Sequence, residues 1–407
     1  MKRKCVVLLI LMCVVSMLLA VNNKPLKVIY QDSKQLSLKL TVPSIDYRSV
    51  EGTKFTGLEM EGAEYTAEAG YPELPMYSTL VAIPSSGSFN ISVRESGVST
   101  MRSVMVKPVF STPEEETSKR CDVKAYTSSS SYPSVTFSHS SPQILRDFRV
   151  VQISLFPVKY VAAEQELKIA KEISVDITFN DKPGENEMPA YSGYSPAFAN
   201  LYESMISNFS QYRDVMIAPA SPRILLIYGN NTATEFVNKL AEFVAWKRQK
   251  GFEVNVVSTA VIGSTSNTGI KNYIQSQYNN LSTRPDYIIL LGDTNGSFPI
   301  PSWTESMSSY GGGGDYPYTH LAGGDLLGDV FIGRISASNY SELDVILNKG
   351  YALEKNVNTS PTAAAWMNKI LLIGDPSSSG ISTQYVNKFI KELALDFNPD
   401  YTFIENY

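Results

Sequence analysis

Two aspartates stand where a ligand would meet a parallel sheet. Asp293 in Leu291-Gly292-Asp293-Thr294 and Asp375 in Gly374-Asp375-Pro376 each follow an apolar run, and open α/β sheets bind ligands outside the carboxyl ends of their strands. A carboxylate in that place can take a proton or a cation, but Gly-Asp and Asp-Pro are also ordinary ways to leave a strand. Both roles stay open for both residues. The chain has two histidines, His139 and His320. His320 lies near acidic loop residues, as a general base or metal ligand would, yet no nucleophile candidate adjoins it, so it reads as a loop histidine; His139, in a Ser-rich stretch, is blander still. Cys121 sits among Ser118, Lys119, Arg120 and Asp122 with no base beside it, the setting of an unreactive thiol. Gly311-Gly312-Gly313-Gly314-Asp315 lacks the Lys-Ser/Thr pair of a phosphate cradle and reads as a flexible rim. A dinucleotide fingerprint, a His-Glu-x-x-His zinc motif and a Gly-x-Ser-x-Gly elbow are all missing from the sequence.

The elements that must position these residues change character along the chain. From Leu26 to about Asn180, apolar residues alternate, as at Leu36, Leu38 and Leu40, at Val151, Ile153 and Leu155, and at Ile173, Val175 and Ile177. Period-two runs broken by Gly, Pro and Ser predict an antiparallel, sandwich-like β domain over residues 22–180. Residues 181–222 carry Pro183, Gly184, Pro189, Gly193, Pro196, Pro219 and Pro222 and read as a linker, with a short helical stretch near Ala199 to Phe209 and with Arg213 before Asp214 as a protease-accessible bond. From residue 223 to residue 407 strand and helix alternate. Predicted strands are Ile224–Tyr228, Glu253–Ser258, Tyr287–Leu291, Val330–Ile335 and Ile370–Ile373. Between them lie helices after Thr232, over Ile270–Tyr278 and over Ser341–Lys355. Thr232 with Glu235 forms an expected capping box, Phe236, Val237, Leu240, Phe243 and Val244 an expected buried face, and Gly251 the stop. Such alternation predicts a mainly parallel sheet with helices on both faces.

The first residues include Lys2, Arg3 and Lys4 ahead of an apolar run from Val6 to Val21, which reads as a signal peptide over residues 1–21 with cleavage near Ala20. The run is short for a permanent membrane span. Export would remove Cys5 and Cys13 and leave Cys121 as the one thiol, so no internal disulfide is expected and the product is expected outside the cell or on its surface. A net charge of −5 gives no electrostatic footprint for nucleic acid.

Two sets of segments stand out. The first is Gly70-Tyr71-Pro72-Glu73-Leu74-Pro75, Ala82-Ile83-Pro84, and Leu145-Arg146 with Val150 to Val158. The second is Tyr287 to Asp293, Gly314-Asp315-Tyr316-Pro317-Tyr318, and Gly324-Asp325 leading to Asp329-Val330-Phe331-Ile332-Gly333-Arg334-Ile335, the most specific of them. In this order they resemble the propeptide and then the catalytic domain of one family, the gingipain-like cysteine peptidases.

The resemblance implies a multidomain zymogen: a β-sandwich-like propeptide and the first part of a caspase-like α/β domain, incomplete at its C-terminus, which cleaves protein or peptide substrates through a thiolate and a histidine. Asp329 matches the family's acidic position and is expected to orient that histidine. The family's histidine and cysteine are expected beyond Ile373 and then further on, and neither His320 nor Cys121 matches them, so the chain as written is expected to be inactive. No cofactor is required for such chemistry. The resemblance also implies calcium as a structural ion, with Asp315 and Asp325 as oxygen donors. Latency would come from the intramolecular propeptide, with Arg213 as the processing site. A non-catalytic exported relative, binding or inhibiting such a peptidase, is the alternative; sequence past Tyr407 discriminates the two.

Overall fold

A computed structural model describes residues 25–110, 121–190, 192–214, 221–307, 310–355, 358–360, 362–374 and 381–406. The expected signal peptide, Cys5 and Cys13 included, and Asp375 lie outside the described residues. Among the described residues no helix is long and apolar enough to cross a membrane.

In the first half, Leu26–Gln31, Gln35–Thr41, Glu172–Asn180 and Ser88–Ser96 form one antiparallel sheet in that order. Phe137–His139, Phe148–Leu155, Pro75–Ile83 and Glu64–Tyr65 form a second. The alternation read from sequence sets the register: Leu36, Leu38 and Leu40 pair with Ile177, Val175 and Ile173, and all six are buried with Val151, Ile153 and Leu155 in one core. A one-residue slip would turn each of these side chains to solvent. Gln143–Leu145 pairs back on Phe148–Leu155, making a hairpin that projects from the second sheet.

In the second half, Glu253–Ser258, Arg223–Tyr228, Tyr287–Leu291 and Phe331–Ile335 form a wholly parallel sheet in that order. Helices Thr234–Gln249 and Tyr340–Glu354 bury Phe236, Leu240, Phe243, Leu343 and Leu347 on one face. Helix Asn267–Asn279 buries Ile270, Ile274 and Tyr278 on the other.

Four expectations need correction. The Thr232/Glu235 box does not form: the helix begins at Thr234 after an uncapped Ala233, and Asn231 Oδ1 instead accepts the Ala233 amide. Val237 is exposed, not part of the buried face. Lys369–Ile373 does not extend the four-stranded sheet but pairs in parallel with Thr402–Asn406 across helix Ile381–Phe397. Within the expected linker over residues 181–222, the described stretch 192–214 is not open, because Tyr194, Phe198, Tyr202, Ile206 and Phe209 are all buried against Ala82, Leu145, Phe148 and Val150 of the β domain. The backbone amide of Ser207 donates to Leu80 O at 2.9 Å, and the Asn208 carboxamide bonds both Ala82 N and Ala82 O, so this segment seals an open sheet edge. Prolines and glycines set its turns, while the aromatic residues between them supply the burial that closes it down.

Candidate functional site

The two halves meet at the tip of the projecting hairpin. Leu145 pairs with Phe148, leaving Arg146 and Asp147 as a two-residue turn. Tight turns of this kind call for positive φ, normally on glycine, yet Arg146 holds φ at 50°. A non-glycine residue there costs roughly 1–3 kcal/mol, and such strain gathers at functional positions. Both tip side chains are buried, Arg146 at 3% exposure and Asp147 at 9%.

What Arg146 reaches explains why it is there. Its Nη1 donates to Pro285 O and Asp329 O, both at 2.8 Å, and its Nη2 to Asp286 Oδ1 at 2.7 Å. The guanidinium lies 4.7 Å from the Phe198 ring centre and 5.9 Å from that of Tyr278. Asp286 is the hub on the α/β side: Oδ1 also accepts from Ser195 Oγ at 2.6 Å, and Oδ2 accepts the Arg223 amide at 2.8 Å. Asp147 Oδ2 accepts the Ser195 amide and the Tyr202 hydroxyl, each at 2.9 Å. Burial first, then this carboxylate, lifts the Tyr202 phenol well above its usual range. Arg146 Nε lies 3.7 Å from Asp147 Oδ2 without a hydrogen bond, but both terminal nitrogens are bonded, and a buried charge so paired meets the condition under which burying it is tolerable.

One loop of the α/β half grips the hairpin's outer edge. Asp325 Oδ2 accepts the Ile144 amide at 2.8 Å, and Asp329 Oδ1 the Arg146 amide at 3.1 Å. Alternate amides of a strand point the same way, so two carboxylates four residues apart cap an edge that another strand would otherwise have to pair. Asp329 is wholly buried. Its Oδ2 accepts the Leu321 and Ala322 amides at 2.8 and 2.7 Å. Burial nonetheless outweighs these amides and pushes the carboxyl up to about 6.

Asp286 and Asp329 precede strands Tyr287–Leu291 and Phe331–Ile335, so this junction sits at the amino edge of the parallel sheet, not at the carboxyl edge where sheet geometry directed attention. Asp293, at that carboxyl edge, is half-buried and accepts the Thr294 amide at 2.7 Å, which is the turn-forming role. Asp315, near the same edge, is held bidentately by Arg334 at 2.8 and 2.7 Å. Asp325 spends its second oxygen on the Leu327 amide at 2.8 Å. With Asp315 neutralised and Asp325 engaged by backbone amides, these residues do not fit a calcium ion in this arrangement. Among the described residues no cluster of three or more metal-ligating side chains occurs.

The remaining candidates lie apart from one another. Cys121 is half-buried in the β half, where His139 stacks on Phe137; His320 packs edge-on against Tyr316 at 4.7 Å. Gly311 to Gly314 belong to a β-strand, Tyr310–Gly314, paired with Trp303–Met307, rather than to an irregular rim. Arg213 is exposed, ion-paired with Glu203, and its carbonyl accepts the Tyr194 hydroxyl at 2.9 Å; residues 215–220 beyond it lie outside the described residues. Sequence reasoning missed Asp286, Ser195 and the burial of Arg146. The one local signal was a charged Arg-Asp pair, with no glycine, at the tip of an apolar hairpin.

Two family models match in tandem, a C25 propeptide over residues 28–222 and peptidase family C25 over residues 217–407. Gingipain R1 of Porphyromonas gingivalis is 23% identical over 322 residues, which cover 77% of this chain and 31% of that protein. Lys-gingipain W83 of the same organism is 24% identical over 406 residues, covering 92% of this chain and 22% of that protein. The chain thus spans under a third of the length of these two relatives. Among solved structures, the complex of Porphyromonas gingivalis RgpB pro- and mature domains aligns with a TM-score of 0.41 at 19% identity, covering 46% of this chain and 98% of that one.

Proposed function

We infer, for a chain that belongs to peptidase family C25 and carries the C25 propeptide ahead of its peptidase domain, that it is the front part of an exported cysteine endopeptidase precursor held latent by its own β domain. The observation that carries this reading is the buried Arg146–Asp147 tip, by which the β half engages Asp286 and Asp329 of the α/β half. In the reaction such a precursor serves, a cysteine thiolate attacks the scissile carbonyl, a histidine moves the proton, and a carboxylate fixes that histidine's tautomer. Asp329 is the residue for the last role. Its Oδ1 takes the Arg146 amide here, so the docked β domain holds the lone pair that a histidine N–H would need. The parallel sheet with helices on both faces supports a caspase-like arrangement for the α/β half.

His139, His320 and Cys121 lie apart from one another and do not form the histidine–cysteine pair on this reading. Arg213 is the processing residue. A cut after it would leave Tyr194 to Tyr212 packed on the β half. The test is a precursor extended through an in-frame histidine and cysteine, with and without Arg213→Ala. The unaltered precursor should shorten and gain peptidase activity while the variant stays full-length and silent. Normal shortening of the variant would remove Arg213 from the scheme, and a shortened parent with no activity on any peptide would remove the peptidase reading.

A further inference from the structure

We propose that the amino edge of the parallel sheet carries a guanidinium receptor, a peptide-binding site whose ligand is an arginine presented at the tip of a β-turn. Its resident occupant is the chain's own Arg146, and it is built to accept other monosubstituted guanidinium groups when Arg146 is withdrawn.

Three acceptors define it. Pro285 O and Asp329 O face Nη1, and Asp286 Oδ1 faces Nη2, all within 2.7–2.8 Å. Each belongs to the α/β half, as does Tyr278 beneath the plane; Phe198 alone comes from the segment that leaves with the β domain. A planar fork of fixed geometry satisfies two main-chain carbonyls and one carboxylate at once, which the single ammonium of lysine cannot span. The turn adds an independent argument, because its backbone favours glycine and the chain nonetheless places arginine there at φ 50°. Withdrawing the occupant leaves two buried carbonyls without their donor and takes one of three donors from the buried Asp286 carboxylate, together with its cationic partner at that oxygen, a costly state that a matching cation relieves. A cavity of about 410 Å3, lined by Arg146, Asp147, Ser195, Arg223, Arg284 and Asp286, adjoins the site and gives a small cation a route to it. The inference does not depend on whether the chain belongs to an active peptidase.

The experiment is chemical rescue in the full chain. Arg146→Gly removes the side chain while suiting the turn's backbone, and should lower the melting temperature. Millimolar ethylguanidinium should restore at least half of that loss, saturably, and should leave the parent unmoved. Ethylammonium should not do so, and neither ion should act on Arg146→Gly combined with Asp286→Asn. A melting temperature of Arg146→Gly that is flat in ethylguanidinium, or that rises equally with ethylammonium, overturns the receptor. Should Arg146→Gly not fold, Arg146→Lys takes its place: it keeps the charge without the fork and should still melt below the parent. A lysine variant as stable as the parent also refutes the proposal.

Discussion

Asp329 should make the chain lose stability as pH rises through weak acid, opposite to the usual behaviour of buried carboxylates with strong partners. Burial, set against the Leu321, Ala322 and Arg146 amides, raises its carboxyl from 3.8 to about 6. A raised value means the folded state holds the proton more tightly than the unfolded chain, so unfolding free energy is greatest below the unfolded value and falls as pH climbs to the folded one. A gap of about two pH units corresponds to about 3 kcal/mol at most. Between about pH 4.5 and pH 7 the folded carboxyl passes from mostly protonated to ionised, and about 2 kcal/mol of that is traversed. Asp329→Asn cannot titrate. It also faces an amide N–H with its own NH2 on one side, so it should be less stable than the parent throughout, but by a margin that narrows towards pH 7. Glu187, Glu342 and Glu354, which are lowered, push the other way and cancel in the parent-minus-variant difference. Urea unfolding at the two pH values, with unchanged slope, reads that difference. An equal margin at both would refute the reasoning, because Asp329 would then ionise like an exposed carboxylate.

Two further outcomes follow from buried or partly buried ion clusters. Glu354 joins helix Tyr340–Glu354 to helix Thr234–Gln249; burial would raise its carboxyl, but bonds from Lys250, Trp246 and Lys247 outweigh it and hold it at about 2. Glu354→Gln should cost about 1 kcal/mol near neutrality after allowance for its partial exposure, and the cost should fade as pH falls from about 4.5 towards 2; a pH-independent cost in chemical unfolding would contradict this. Arg334 holds Asp315 bidentately and donates to Gly292 O and Ile300 O, each at 2.8 Å. Arg334→Lys should lose about 2–3 kcal/mol and speed amide exchange across residues 292–301. Unchanged exchange there would show that the loops at the carboxyl edge hold themselves.

Strand positions in the α/β half were legible because buried parallel strands are short, charge-free apolar runs, and Tyr287-Ile288-Ile289-Leu290-Leu291 admits few other readings. The β half was legible through its period of two, which burial enforces at Leu36, Leu38 and Leu40. Caps were less so, since Thr232 and Glu235 have the right spacing but the chain turns at Asn231 instead. The segment 181–222 misled for a plain reason: proline and glycine report where a chain bends, not whether the bends are buried, and Tyr194, Phe198, Tyr202 and Phe209 carry no period that marks a packed element. The junction itself joins residues about 140 apart, as Arg146 to Asp286, and no local pattern encodes such a pairing.

The junction combines two kinds of force with different consequences. The aromatic cluster around Phe148, Tyr194, Tyr202 and Phe209 holds by burial, which is strong but tolerant of small shifts. The polar tip is the reverse. Its buried charges add little net stability against apolar replacements, yet a missing partner is costly because a buried group is left uncompensated. Docking is therefore close to all-or-none: the hairpin either seats Arg146 on Asp286 and both edge amides on Asp325 and Asp329, or it takes one donor from each of three carboxylates whose other oxygen stays bonded within the α/β half. A cut beyond Arg213 removes none of these contacts, since every one lies on residues 144–202 or in the α/β half. Severing the chain and separating the halves are thus distinct events. The second requires that water or another cation take over the carboxylates that the hairpin now satisfies.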